Sequence, residues 1–315
     1  MAVALTLTGF AAAACSSSGP SGGSTALPKV SGPVGQKAVI TLPSGAAVPN
    51  KLQTKVLVQG GGQKLDSGNL AAVNYTVTNW TTGKALGNTY SSDGGKTPAQ
   101  PQLVQLGSSS VLPAWTSALT GAKVGSRIEV VAPPSSAFGS SGNQQDGVGP
   151  NDVLVFVLDV IAGYPADVDI TGTQAAQNDP SLPSITGNPG SGNPTVTIPS
   201  GVTPPSALVA NVLIKGSGEV VAAGQTLVMQ YTGVDWNTDK NFDSSFTRKQ
   251  AFSTVIGAGQ VIAGWDQGLI GKHVGDRVLL VIPPSLGYGP QGGQSQAGIG
   301  ANDTLVFVVD IIDAL

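Results

Sequence analysis

The strongest constraint on this chain is that it repeats itself. ITLPSG (Ile40 to Gly45) returns 156 residues later as VTIPSG (Val196 to Gly201). KVLVQGGG (Lys55 to Gly62) and VNYTV (Val73 to Val77) return at the same spacing, as NVLIKGSG (Asn211 to Gly218) and MQYTG (Met229 to Gly233). Further on, LGSSSVLPAWTSAL (Leu106 to Leu119) matches IGAGQVIAGWDQGL (Ile256 to Leu269) at a spacing of 150. KVGSRIEVVAPPS (Lys123 to Ser135) matches HVGDRVLLVIPPS (His273 to Ser285) at 150 as well, and NDVLVFVLDVI (Asn151 to Ile161) matches NDTLVFVVDII (Asn302 to Ile312) at 151. All four tryptophans pair, Trp80 with Trp236 and Trp115 with Trp265. Repetition at this fidelity is the mark of a duplicated domain, and 315 residues leave room for two domains with linkers. The changes of spacing place about six extra residues in the first copy between Leu86 and Leu106, and one fewer near residue 145.

Within each copy the apolar runs are short, β-branched and bounded by turn residues, as in TLVMQYTGV, RVLLVIP and TLVFVVDII. Such runs read as strands. One stretch reads as helix: Ala263 to Ile270, after Gly259 and stopped at Gly271, with Trp265 and Leu269 four apart on one face. Pro283 and Pro284 end the strand before them, because proline donates nothing to a ladder. The expected fold class is α+β, each copy an antiparallel sheet with one short helix. Residues 36–163 and 194–315 are the expected domains. Residues 164–193, rich in Pro, Gly, Asn and Ser, read as a flexible linker, and residues 15–35 read likewise as a tether.

Composition removes several function classes. Fifteen basic against eighteen acidic residues, without a basic cluster, point away from nucleic acid. The only cysteine is Cys15, so the chain has no intrachain disulfide and no cysteine-based metal site. His273 has no second histidine beside which to bind a metal, and reads as a solvent-facing turn residue. Charged residues are only 10 %, which suits a lightly charged extracytoplasmic surface. Residues 2–14, AVALTLTGFAAAA, are too short for a spanning helix but suit the apolar region of an export signal. Small residues before a lone cysteine resemble a bacterial lipoprotein signal. In such a signal the Cys15 thiol is acylated after removal of residues 1–14, anchoring the protein to the cell membrane from outside. Two features depart from that pattern: no Lys or Arg precedes the apolar run, and Ala12 stands where leucine is usual.

Aromatic residues are only 5 % of the chain, yet Tyr231, Trp236, Phe242, Phe246, Phe252, Trp265 and Tyr288 fall between Val228 and Tyr288. Mixed with Asp243 and Arg248, this concentration reads either as an aromatic-lined concave site or as ordinary core.

The second copy resembles the FKBP-type peptidyl-prolyl cis–trans isomerase domain over roughly Leu208 to Leu315. The resemblance rests on YTG after a strand, FDSS (Phe242 to Ser245), VIxGW (Val261 to Trp265), PPxxxYG (Pro283 to Gly289) and the closing TLVFxVxI strand. It implies a twisted antiparallel sheet wrapped around one short helix in each of two tandem domains. It also implies rotation of Xaa–Pro bonds in proline-containing polypeptides, without nucleophile, metal or cofactor, and inhibition by the macrolide ligands of the family. Trp265 would form the pocket floor, and Tyr231, Phe242, Phe252 and Phe307 its walls, with Val261 and Ile262 at the edge. The Ile262 backbone N–H would hold one substrate carbonyl, and the Tyr288 hydroxyl would donate to the carbonyl before the proline. Asp243 would bond Tyr231 and pair with Arg248, and Ile299 would sit on the loop covering the site. That loop, GPQGGQSQAGIGAND, departs from the family's histidine-and-proline pattern.

The first copy keeps Tyr75, Val111, Leu112, Trp115 and Phe156 but has Leu86 for the FDSS phenylalanine and Gly87 for its aspartate. Gln102 stands for Phe252, and Phe138 stands for the tyrosine. The expectation is a stable first domain with weak or absent activity, a spacer or a peptide-binding module. For the whole chain it is an exported isomerase that assists folding through its second domain, with a non-catalytic peptide-binding chaperone as the alternative.

Overall fold

The computed structural model describes residues 26–90 and 99–315. Cys15 and residues 1–14 lie outside the described residues, so the signal and anchor expectations gain nothing from the fold. A small hairpin, β1 (Lys29–Ser31) and β2 (Val39–Thr41), opens the described chain. Strands β3 (Gln53–Val58), β4 (Leu70–Asn79), β5 (Ala85–Asn88) and β6 (Gln102–Gln105) follow, then helix α1 (Pro113–Leu119), β7 (Arg127–Ala132) and β8 (Leu154–Tyr164). The sheet runs β3-β7-β8-β4-β5 and is antiparallel throughout. The N-terminal half of β4 pairs with β6 while its C-terminal half pairs with β5.

The second half repeats this plan: a hairpin of β9 (Ser184–Thr186) and β10 (Thr195–Thr197), then β11 (Val209–Ile214), β12 (Thr226–Asp235), β13 (Lys240–Ser244) and a single helical turn α2 (Ser245–Arg248). Next come β14 (Phe252–Val255), helix α3 (Ala263–Leu269), β15 (Arg277–Ile282), the two-residue strands β16 (Gly293–Gln294) and β17 (Ile299–Gly300), and β18 (Leu305–Ala314). The sheet order β11-β15-β18-β12-β13, with β14 also on β12, is that of the first half. The α+β class, the tandem domains and the helix carrying Trp265 stand as expected. His273 lies in the turn before β15, where its N–H donates to Asp276 at 2.8 Å.

The central strands read as unbroken apolar runs because both faces of each sheet are buried. On β15, Val278, Leu280 and Ile282 face α3 and the site, while Leu279 and Val281 face the other way. On β18, Phe307, Val309 and Ile311 take the inner face, and Val306 and Val308 the outer. The outer face is covered by the segment expected to be a flexible linker. Leu182 and Ile185 are buried there with Trp236, and Val196 and Ile198 pack alongside. The linker reading is therefore corrected: composition made the stretch look free, but its few apolar residues close a sheet that would otherwise be exposed. In the first domain Leu27, Ile40 and Leu42 do the same over Trp80, Val131, Val153 and Val155. The described end of the expected tether is thus part of a hairpin.

Each hairpin is locked by a buried ion pair. Arg277 meets Asp310 through Nε and Nη2, both at 2.6 Å, with side chains 0 % and 1 % exposed. A guanidinium has five donors, and the hairpin segment takes the surplus: Arg277 Nη1 donates to Gly187 O at 2.8 Å and to Gln174 Oε1 at 3.1 Å. In the first domain Arg127 holds Asp159 at 2.6 and 2.7 Å and donates to Gly32 O and Gln36 O, both at 2.6 Å. Burial pushes the Asp310 carboxyl up to about 6 against the opposing pull of Arg277. The carboxylate in turn holds the Arg277 proton more tightly than usual despite burial, and a buried pair of this kind fixes the hairpin's place more than it adds net stability.

The two domains touch through Leu70, Ala72 and Tyr164 of the first and Val228 and Ala251 of the second. The Tyr164 hydroxyl donates to Asp313 at 2.6 Å.

Arg277→Met strands Asp310 as an unpaired buried charge and should remove about 3–5 kcal/mol from the second domain, read by urea unfolding with tryptophan fluorescence. The double change with Asp310→Leu should recover more than half of that loss. A single variant that loses under about 1 kcal/mol would contradict the assigned role.

Candidate functional site

On the inner face of the second sheet lies a hollow of about 660 Å³, between α3, β12, β13 and the loop after β15. Its floor depends on how closely α3 can approach the sheet. A Cβ on Gly264 would stand 2.5 Å from Ile282, and one on Gly268 would stand 2.7 Å from Leu280, so only glycine permits the contact. At the positions 150 residues earlier the first domain has Ala114 and Ala118 on its helix and Ala132 and Val130 on its strand, all buried in one core. Before α3, the Asp266 carboxylate accepts from the Gly257 and Gly259 N–H groups at 2.7 and 3.0 Å. This fixes the turn that brings Val261 and Ile262 to the rim, where Ile262 caps the helix in an extended conformation.

The floor and walls form a box of edge-to-face rings. The Trp265 ring meets Tyr231 at 5.3 Å, Phe307 at 5.2 Å and Phe252 at 5.8 Å, each close to perpendicular. Phe242 adds a further perpendicular contact on Phe307 at 5.4 Å. Each such pair adds about 0.5–1.5 kcal/mol beyond simple burial and holds the ring orientations. The Trp265 indole N–H is buried and has no partner among the described residues.

The polar side of the box is a three-member network. The Tyr231 hydroxyl donates to Asp243 Oδ2, and Arg248 Nη1 pairs with Oδ1. Arg248 Nη2 also donates to the Tyr231 oxygen at 3.1 Å, and its guanidinium lies 5.4 Å from the Tyr231 ring centre. With a partner on each oxygen, Asp243 is a carboxylate that orients a wall. The backbone of Tyr231 is held in turn, its N–H donating to Ser245 Oγ at 2.7 Å.

Of the residues expected at the site, Tyr231, Phe242, Asp243, Phe252, Val261, Ile262, Trp265, Tyr288, Ile299 and Phe307 all line this hollow. Arg248 does not line it; it stands behind Asp243 and Tyr231. Trp236 and Phe246, part of the aromatic concentration, are not in the lining, and Trp236 lies on the outer sheet face. Sequence reading missed the polar rim, Gln260, Gln291, Gln294 and Gln296. The recurrence of glutamine through GPQGGQSQAG was the available signal. Strands β16 and β17 pair Gln294 with Ile299, and this brings the buried Ile299 back over the site.

The first domain keeps a hollow of about 670 Å³. Trp115 meets Tyr75 at 5.2 Å and Phe156 at 5.6 Å, so the floor survives. Leu86, Gly87 and Phe138 line it where the second site has Phe242, Asp243 and Tyr288, so the carboxylate and one hydroxyl are gone. Burial, with the nearby Asp146 carboxylate, pushes the Tyr75 hydroxyl up.

A family model described as FKBP-type peptidyl-prolyl cis-trans isomerase matches the chain twice, at residues 61–161 and 218–312. An FK506-binding protein of Streptomyces anulatus is 42% identical over 119 residues, 38% of this chain and 94% of that protein. FK506-binding protein 2B of Rhizopus delemar is 50% identical over 91 residues, 29% of this chain and 43% of that protein. The peptidyl-prolyl cis-trans isomerase FKBP2 of Mus musculus is 46% identical over 89 residues, 28% of this chain and 61% of that protein.

One substitution tests how the wall is packed. A Cβ on Gly233 would lie 2.7 Å from the Phe242 ring and 2.9 Å from Phe307, whereas the first domain has Val77 there beside the smaller Leu86. Gly233→Val should cost about 1–3 kcal/mol of stability. Adding Phe242→Leu should return more than half of it, as a non-additive cycle measured by unfolding; simple additivity would show that the two positions do not share a space.

Proposed function

The chain belongs to the FKBP-type peptidyl-prolyl cis–trans isomerase family and is an enzyme of that class, and on this premise we propose that turnover takes place in the second domain's hollow. The observation that carries this reading is the aromatic box around Trp265 together with the Tyr231–Asp243–Arg248 network, complete in the second domain and stripped of its carboxylate in the first.

Rotation about a Xaa–Pro bond is slow because resonance gives the C–N bond double-bond character, with a barrier of roughly 18–20 kcal/mol. The planar amide places charge on its oxygen, which water stabilises; the twisted form is less polar. A hollow floored by Trp265 and walled by Phe242, Phe252 and Phe307 withholds that water from the planar form and leaves the twisted form little affected. The prolyl ring is apolar and fits against ring faces. The Ile262 backbone N–H and the Tyr288 hydroxyl, both on the rim, would hold the carbonyls on either side of the proline. The network behind Tyr231 keeps its wall from collapsing into the space the ring needs. About 4 kcal/mol of differential stabilisation suffices for a thousandfold acceleration.

The substrates in this reading are proline-containing polypeptides undergoing folding, and the macrolide ligands of the family compete for the same hollow. The enzyme acts outside the cytoplasm. The apolar run 2–14, the lone Cys15 and the low content of charged residues support an exported protein tethered by lipid.

Phe242→Ala and Tyr288→Phe in the full chain should each lower kcat/KM for a proline-containing tetrapeptide, the first by at least tenfold, or ~1.4 kcal/mol of transition-state stabilisation. An unchanged rate in Phe242→Ala would move turnover to another part of the chain. Replacing Cys15 by Ala should release the protein from the membrane fraction of cells; an unchanged distribution would remove the anchor.

A further inference from the structure

The first domain's hollow is not closed by the first domain alone. One of its sides is made by the second domain, from Arg248, Gln250, Ala251, Phe252 and Ser253. This segment is the connection between α2 and β14, and its position is fixed. Ala251 is buried in the contact between the domains, and Tyr164 and Asp313 are hydrogen-bonded across it. Phe252 lines both hollows. The two cavities, of about 670 and 660 Å³, are therefore neighbours that share Phe252 as a wall residue. Duplication by itself does not require this, since two tethered copies have no need to share a wall.

The first hollow also has a distinctive lining. It keeps an apolar floor in Trp115, Phe156 and Leu112, and the Trp115 indole N–H is buried without a partner among the described residues. The lining also includes Gln102, Gln105, Asp146 and Arg248. Apolar depth edged by amide and charged groups suits an extended polypeptide: side chains enter the depth, and backbone N–H and C=O groups meet the rim.

We propose that the first hollow is a docking subsite for the same polypeptide whose prolyl bond turns in the second, the chain passing over Phe252 from one cavity to the other. This rests on the assignment of turnover to the second domain. A polypeptide held by its proline against Trp265 must leave that hollow in some direction, and each further extended residue carries it ~3.3–3.6 Å. A few residues reach a second apolar cavity that shares a wall residue with the first. Engagement of both cavities turns the second contact into an intramolecular one, so affinity for long substrates rises without any change in the chemistry. The loss of Asp243 and Tyr288 equivalents from the first hollow is then no defect, because docking needs neither.

The test compares a tetrapeptide containing Leu-Pro with the same core extended by about eight alternating leucine and serine residues (~27 Å of extended chain), on the N-terminal side in one peptide and the C-terminal side in another. With the full chain, one extended peptide should show a KM about tenfold below that of the tetrapeptide at equal kcat. Gly87→Trp should bring the two KM values together. Gly87 lines the first hollow, and an added Cβ there meets nothing within 4 Å, so the position accepts a side chain. Leu86→Arg provides a second block; should it fail to fold, Gly87→Trp decides. Equal KM for all three peptides, or a gain that survives Gly87→Trp, overturns the proposal. Should the unaltered chain fail to turn over the tetrapeptide, the isomerase assignment of the second hollow falls instead. Docking is then read from the anisotropy of fluorescein-labelled extended peptides: weakened binding in Gly87→Trp supports it, and unchanged binding overturns it.

Discussion

The buried guanidinium–carboxylate pair is the constraint on which the rest of each domain depends. Arg277 and Asp310 sit on neighbouring strands in a place where water does not reach, and neither could remain there alone. Together they still leave donors unspent, which the β9–β10 hairpin segment accepts through Gly187 and Gln174. That single arrangement brings the hairpin over Val306, Val308, Leu279 and Val281, so the sheet's outer face is closed. With the outer face closed, β15 and β18 are held in register and present Ile282, Leu280 and Phe307 inward. The helix carrying Trp265 packs on those residues, and the hollow is what remains between them. Arg127 and Asp159 do the same work in the first domain, where the β1–β2 hairpin is the partner.

The two copies then show how one scaffold holds two different cavities. Where the second has Gly233 beside Phe242, the first has Val77 beside Leu86, so side-chain volume moves from one strand to its neighbour. Helix-to-sheet contact is kept by a second exchange, glycine against Ile282 and Leu280 in one copy and alanine in one core with Ala132 and Val130 in the other. What is not preserved is the polar network, because Gly87 offers nothing to Tyr75. The first copy keeps the residues that build the core and lacks the carboxylate that stands at the second site.

Much of this was legible in the sequence because repeats and strand patterns are local properties. The duplication, the helix with Trp265 and Leu269 on one face, and the strand endings at Pro283 all follow from spacing and backbone chemistry. Ten of the residues that line the second hollow were found because the family pattern preserves their order. The covering hairpin was not found, since Leu182 and Ile185 are two apolar residues in a stretch of Pro, Gly, Asn and Ser, and composition outvoted them. Yet the unbroken runs VLLVI and LVFVV already demanded a cover for both sheet faces, and only the linker was left to supply it. Of the two readings left open for the aromatic concentration, Trp236 falls under core: like Val234 it packs on the outer face, just beyond the end of β12. The contribution of the Arg248–Ser253 segment to the first hollow joins residues far apart in the chain, and no local pattern announces it.

The central claim, that the prolyl bond turns over Trp265, is tested most directly by following the indole N–H resonances of Trp265 and Trp115 while a proline-containing tetrapeptide is titrated into the full chain. Cis–trans exchange of the peptide is recorded by exchange NMR in the same samples. The account predicts that the Trp265 resonance shifts along the same saturation curve as the exchange rate. Rapid exchange with the Trp265 resonance stationary, or moving only with that of Trp115, would contradict it.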